Sequence, residues 1–267
     1  QFTGRAASLS MINWPGNDVC DPGYLSDDPL SAARALQHGK QVALGFAWWI
    51  QHEAPRDEGG GAGYPELAFQ SGVLGAADGL SQYPYIREAR RMAALRIVRE
   101  QDVAEPWQPG ARAAAFDDTA AIGSYPIDIH GCGPHPPLPR SKPYQVPFGA
   151  LISRDVPNLL AAAKNIGATH ITNGAYRLHP TEWAIGEADG WLAVYALRLS
   201  RDPREIVSGH QTLRGLQWRL LREGHPLLWF DDLAPSDPAF AATQFAALDG
   251  LLPFDPATLH SRPRAAH

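Results

Sequence analysis

The side chains that could do chemistry in this 267-residue chain fall in three stretches. In the first, Tyr125, Asp128 and His130 lie close together. On a strand, Asp128 and His130 would point the same way. A histidine oriented by an aspartate suits proton abstraction from an alcohol or amine before hydride transfer, although such pairs are often structural. In the second stretch, His170 and His179 bracket Arg177. Either histidine could act as acid or base near neutral pH, or serve as a hydrogen-bonded loop residue. Arg177 could bind an anionic substrate or polarise a carbonyl, and could equally pair with Glu182 or Glu187. The third is the charged cluster Arg87, Glu88, Arg90 and Arg91. On a strand, Arg87 and Arg91 share a face, as the wall of a substrate domain or as a solvated, salt-bridged surface.

Other stretches offer less. His130-x-Cys132-x-x-His135 fits no common zinc spacing and has no evident fourth ligand, so no metal is expected. The run Arg56-Asp-Glu-Gly-Gly-Gly-Ala-Gly63 does not follow a strand and has no Lys-Ser/Thr, so it reads as a surface loop and not a phosphate cradle. Two cysteines, Cys20 and Cys132, are too few for a disulfide framework. Both being free is the plain reading, and pairing is the alternative.

The elements that must position these groups follow from periodicity and punctuation. Asp28-Pro29 reads as an N-cap with proline at the first helical position, opening a helix to about His52. Leu36, Val42, Ala43, Phe46, Ala47, Trp49 and Ile50 form its apolar stripe, and Pro55 stops it. Strands are expected at Met11–Asp18, Leu95–Val98, Ala121–His130 and Tyr144–Ile152. Asn158-Leu-Leu-Ala-Ala162 suits a strand buried on both faces. A loop of about twenty residues should follow, then a helix from His179-Pro180 to about Ser200. Two further helices should end at Gly224 and at Gly250.

A strand, a loop and a helix in that order bring the helix start to the strand's C-terminal edge, where open α/β sheets bind ligands. With Pro180 at the first position, the amides of Thr181, Glu182 and Trp183 would face outward and favour an electron-rich partner. Gly186 and Gly190 share one helix face and would let it approach a sheet or a flat ligand at backbone distance.

Charge and composition narrow the class. A net charge of −5 without a basic tail argues against nucleic acid as a partner. The apolar stretches are too short to span a bilayer. An apolar fraction of 45% indicates a folded domain.

Taken together, Asn158-Leu-Leu-Ala-Ala-Ala-Lys-Asn-Ile-Gly-Ala-Thr-His170 and Arg177-Leu-His-Pro-Thr-Glu-Trp-Ala-Ile-Gly-Glu-Ala-Asp-Gly190 closely resemble the C-terminal flavin-contacting segment of a bacterial FAD-dependent oxidoreductase family. Ile12-Asn-Trp-Pro-Gly-Asn-Asp18, Glu53-Ala-Pro-Arg-Asp57, Pro84-Tyr-Ile-Arg-Glu-Ala-Arg-Arg91, Gly123-Ser-Tyr-Pro-Ile-Asp-Ile-His130 and Pro147-Phe-Gly-Ala-Leu151 match in the same order. The end of the succinate dehydrogenase and fumarate reductase flavoproteins is more distantly similar. There a Gly-Glu pair stands where this chain has Ala163 and Lys164.

The resemblance implies an α/β fold: the C-terminal part of a glutathione-reductase-like FAD-binding fold, with a mixed-sheet substrate domain and a helical tail. It implies boundaries at 1–149 for the substrate-domain portion, 150–200 for the strand–loop–helix of the FAD domain, and 201–267 for the helical appendage. It implies FAD as a non-covalent cofactor, with Lys164, Asn165, Thr169, Thr181, Glu182, Trp183 and Gly186 as its contacts. Lys164 or Asn165 would replace the glutamate that holds the ribityl chain in the wider pattern. The expected partner is a small organic substrate. With its start at Gln1 and no G-x-G-x-x-G unit, the chain is expected to be the C-terminal half of a longer protein, its dinucleotide-binding segment or subunit lying elsewhere. The alternative is a non-catalytic fragment or subunit that does not bind FAD alone.

Overall fold

The computed structural model describes residues 18–261 apart from Glu58, Val73, Ala89 and 131–136. The strand expected at Met11–Asp18, Asp18 aside, therefore lies outside the described residues, as do Cys132 and His135. The chain forms two compact units. One holds the residues up to Ile86 together with His130; the other holds Arg87–Ile129 and the residues from Pro137 onward.

The first unit is organised on helix α1 (Pro29–His52). The Asp28 carboxylate accepts from the Leu30 and Ser31 amides at 3.3 and 2.9 Å, and Pro29 opens the helix as the sequence implies. Its apolar stripe is half-buried, and Ala35 is its one fully buried residue. The glycine-rich run is a surface loop that doubles back onto the end of α1. At Gly63, with φ +81°, a Cβ would lie 2.4 Å from the Gln51 carbonyl, so only glycine fits there. Cys20 is disulfide-bonded, which corrects the reading of both cysteines as free.

The second unit carries the core. Its sheet has two antiparallel strands, β1 (Thr119–Gly123) and β2 (Tyr144–Pro147), with Gly123 opposite Tyr144 and a bulge after Thr119. Short helix α2 (Glu100–Val103) precedes the sheet, and α3 (His170–Tyr176) and α4 (His179–Leu199) follow it. Then come α5 (Pro203–Ser208), α6 (His210–Arg222) and α7 (Phe240–Leu248). Helix α4 lies on β1, and α5, α6 and α7 close over the same core. Thr181, Ile185, Ala188, Asp189, Leu192 and Ala196 form the buried face of α4, at the spacing of one helical stripe. Burying a side chain such as Ile185 or Leu192 contributes roughly 1.5–3 kcal/mol relative to exposure.

Several expected strands are absent among the described residues. Leu95–Val98 makes only isolated bridges, because Ala94 pairs with Ser153 and Val98 with Ala168, and two different partners make no ladder. Beyond Gly123 the chain leaves the sheet before Pro126, which has no amide to donate. After Pro147 a 3-10 turn (Phe148–Ala150) ends β2 early. The Asn158–Ala162 run is no buried strand either. Asn158 turns at φ +59°, Leu159 is exposed, and one bridge joins Leu160 to Ile152. The Arg87–Arg91 stretch is irregular where it is described. The sheet is thus small and antiparallel and not mixed, in a unit of mixed helix and strand.

Candidate functional site

Helix α4 begins one residue earlier than its proline suggests. Leu178 is the N-cap, and its carbonyl accepts from the Glu182 amide at 2.9 Å. The unpaired amides at this end are therefore those of His179 and Thr181; those of Glu182 and Trp183 belong to the helix ladder. The start is held firmly. The Tyr144 hydroxyl donates to the Ala175 carbonyl at 2.7 Å and lies 3.5 Å from the Thr181 hydroxyl. The Tyr144 ring sits 4.4 Å from that of Tyr176, whose hydroxyl donates to the Gln145 carbonyl. Burial raises both phenols well above their ordinary range, so they act as neutral donors. Gly123 leaves room for this joint: a Cβ there would meet the Tyr144 ring at 2.5 Å and Thr181 Oγ1 at 2.6 Å.

The two helical glycines differ. A Cβ at Gly186 would stand 3.3 Å from the Ala162 carbonyl, so α4 approaches the segment 158–163 closely here; at Gly190 it would meet nothing within 4 Å. Lys164 is half-buried, and the Asn165 carbonyl accepts from Met92. Thr169 caps α3 by accepting from the Thr172 amide at 3.2 Å. Trp183 and His179 are exposed on α4. Asn173, 1% exposed, has neither side-chain amide atom paired, and Glu182 buries one carboxylate oxygen without a partner.

The expected loop from 163 to 178 contains helix α3, and this changes the surroundings of the histidines. His170 opens α3, and its Nδ1 lies 2.7 Å from Glu88 Oε2. Arg91 Nη1 donates to the same oxygen at 3.1 Å. Arg177 closes α3 and donates from Nη2 to Asp128, at 2.9 Å to the carbonyl and 3.0 Å to Oδ2. Arg177 thus pairs with Asp128 and not with Glu182 or Glu187; Glu187 instead faces His225 Nδ1 at 3.2 Å. In the first unit, His130 Nδ1 lies 2.6 Å from Asp18 Oδ2. Asp128 and His130 do not share a regular strand, since β1 ends at Gly123; Asp18 faces His130, and Arg177 bonds to Asp128. Arg87 is half-buried at the start of the second unit.

Three arrangements are not marked by the sequence. Glu88 and Asp18 orient histidines 82 and 112 residues away, and no local pattern marks such distant partners. Asp189 sits on the buried face of α4, where burial pushes its carboxyl up to about 7. Its helical spacing with Ile185 and Leu192 could have flagged it. Asp231, Asp232 and His260 also bring ligand atoms within 4.8 Å of one another. The cationic Arg112 interacts with both aspartates and His260 Nδ1 lies 2.8 Å from Asp231, so the group reads as an ion-pair network. No described helix is long and apolar enough to cross a membrane.

The second unit is a domain of mixed helix and strand with a small two-stranded sheet. The chain belongs to the FAD dependent oxidoreductase family, whose family model matches residues 2–220. FAD is the cofactor that membership implies. No curated protein and no solved structure matches the chain.

Proposed function

We propose that this chain supplies the flavin-ring and substrate end of an FAD-dependent oxidoreductase that moves a hydride between an organic substrate and a non-covalently held flavin. The observation that carries the reading is the clamped start of α4. Tyr144 and Thr181 hold it in place, and the amides of His179 and Thr181 are not used by the helix. Such an end stabilises negative charge that develops on a ligand.

The residues fit the cofactor by their donor chemistry. Amides at a helix start suit the electron-rich edge of the ring. Glu182, Trp183 and Gly186 would border it, and Lys164, Asn165 and Thr169 would meet the ribityl chain. Asn173 brings two buried amide atoms that need partners. When bound, the flavin supplies the two-electron redox chemistry. His170 would take the proton of a substrate O–H or N–H at Nε2, with the bound flavin as the acceptor of the two electrons lost when the C=O or C=N bond forms. Within the first unit, His130 is held by Asp18 and could itself handle a proton. Arg177 acts through Asp128 by fixing the end of α3. His179, on the exposed first turn of α4, and Arg87 would meet substrate.

In this reading residues 150–200 finish a glutathione-reductase-like FAD domain, 1–149 belong to the substrate domain and 201–267 form a helical appendage. The adenosine end of FAD is gripped by a strand–G-x-G-x-x-G–helix unit that this sequence does not contain.

An absorbance spectrum of the purified chain with and without added FAD, after gel filtration, tests the reading. Flavin bands that travel with the protein support it. A colourless protein that ignores FAD overturns it for the chain alone and favours a non-catalytic fragment or subunit.

A further inference from the structure

We infer that Glu88 is the positioning residue of His170, holding its neutral imidazole with the proton on Nδ1 and the lone pair on Nε2. The inference rests on the reading of His170 as the acid–base group. A carboxylate only accepts hydrogen bonds, so the 2.7 Å contact between Glu88 Oε2 and His170 Nδ1 makes Nδ1 the donor. In a neutral ring the other nitrogen must then be the acceptor.

Each neighbour reinforces this arrangement. Thr169 caps α3 and fixes the backbone at His170, the first residue of the helix. Arg91 donates to the same Glu88 oxygen at 3.1 Å, which fixes where the carboxylate stands. The Glu88 side chain is 16% exposed and that of His170 59% exposed. The pair therefore has a sheltered anchor and an open working end. Nε2 has no hydrogen-bond partner among the described residues. A ring with a sheltered Nδ1–H and an open Nε2 can take a proton from substrate with no prior change of tautomer. In proteins such a carboxylate orients the ring while the histidine carries the proton.

The test uses the whole chain labelled with 15N-histidine, read by long-range 1H–15N spectra at a pH where the imidazoles are neutral. His170→Asn identifies the His170 signals by their loss. In the unmodified protein, Nδ1 of His170 should give the protonated signature and Nε2 the bare one. Glu88→Leu should abolish that preference, and Glu88→Gln, which keeps an acceptor oxygen, should retain it. A wild-type His170 protonated on Nε2 overturns the inference and needs no variant. So does a Glu88→Leu spectrum identical to wild type. A chain that ignores FAD but shows the expected tautomer pattern would sink the proposed function and leave the Glu88–His170 relationship standing.

Discussion

Arg177 reaches Asp128 twice with one nitrogen, at 2.9 Å to the backbone carbonyl and 3.0 Å to the carboxylate. The bond to the carbonyl ties the end of α3 to the chain leaving β1. Gly174 tightens the same joint, since a Cβ there would lie 2.9 Å from the Asp128 carbonyl. The Arg177 side chain is 10% exposed. Hydrogen bonds to a charged group are worth about 1.5–3 kcal/mol each, less where one partner is wet. Arg177→Met should therefore lower stability by about 2 kcal/mol in urea denaturation. Asp128→Asn keeps the main-chain bond and should cost less. Equal losses in the two variants would mean that the carboxylate, and not the carbonyl, holds the joint.

Gly123 on β1 and Gly190 on α4 should separate by mutation. Gly123→Ala drives a methyl into Tyr144 and Thr181, and overpacking of this kind costs about 1–3 kcal/mol. Gly190 is exposed in the helix with open space around it, so Gly190→Ala should stabilise the chain by up to about 1 kcal/mol. Thermal melts of the two variants should move in opposite directions. A drop in Tm for Gly190→Ala would point to a close neighbour at that position.

Asp189 gives the fold a pH dependence. Burial raises its carboxyl to about 7, against an ordinary value near 3.8. Below about pH 4 the group is neutral folded and unfolded, and contributes nothing. Between about 4 and 7 the unfolded chain releases the proton while the folded chain keeps it, so stability falls as pH rises. Above about 7 the loss is complete, on the order of a few kcal/mol at 1.36 kcal/mol per unit. Asp189→Asn cannot ionise and should melt higher than the wild type at pH 8, with the difference vanishing toward pH 4. Parallel Tm-against-pH curves for the two proteins would show that Asp189 does not titrate in this way.

Asn173 is 1% exposed with both amide atoms unpaired, at a cost of about 1–3 kcal/mol for a buried polar group without a partner. Asn173→Leu has nearly the same shape and should raise the Tm of the chain measured without FAD. On the proposed function it should also shrink the Tm increase that added FAD produces. A lower Tm without FAD would mean that water or protein already satisfies the amide.

Local features of the sequence were enough for several elements. The Asp28-Pro29 start of α1, the body of α4 and the stop glycines Gly224 and Gly250 all lie where capping chemistry puts them. Helix α5 carried a readable signal too, since Asp202 and Glu205 form a capping box, although it was not among the expected helices. Strands form within the expected 121–130 and 144–152 but stop at Gly123 and Pro147, so the apolar pattern overran them. It reports which side of the chain is apolar, whereas a strand also needs a neighbour with free amides and carbonyls.

The sequence by itself determined the family, the cofactor the family implies, and the helices whose caps and apolar stripes lie within a few residues of one another. Tertiary structure decided the partners of the charged groups. His170 meets Glu88, His130 meets Asp18 and Arg177 meets Asp128 across 82, 112 and 49 residues. Capping and periodicity act through neighbours one helical turn away, so they are written locally. An ion pair between distant residues exists only once the core has brought their backbones together, and no spacing along the chain encodes it.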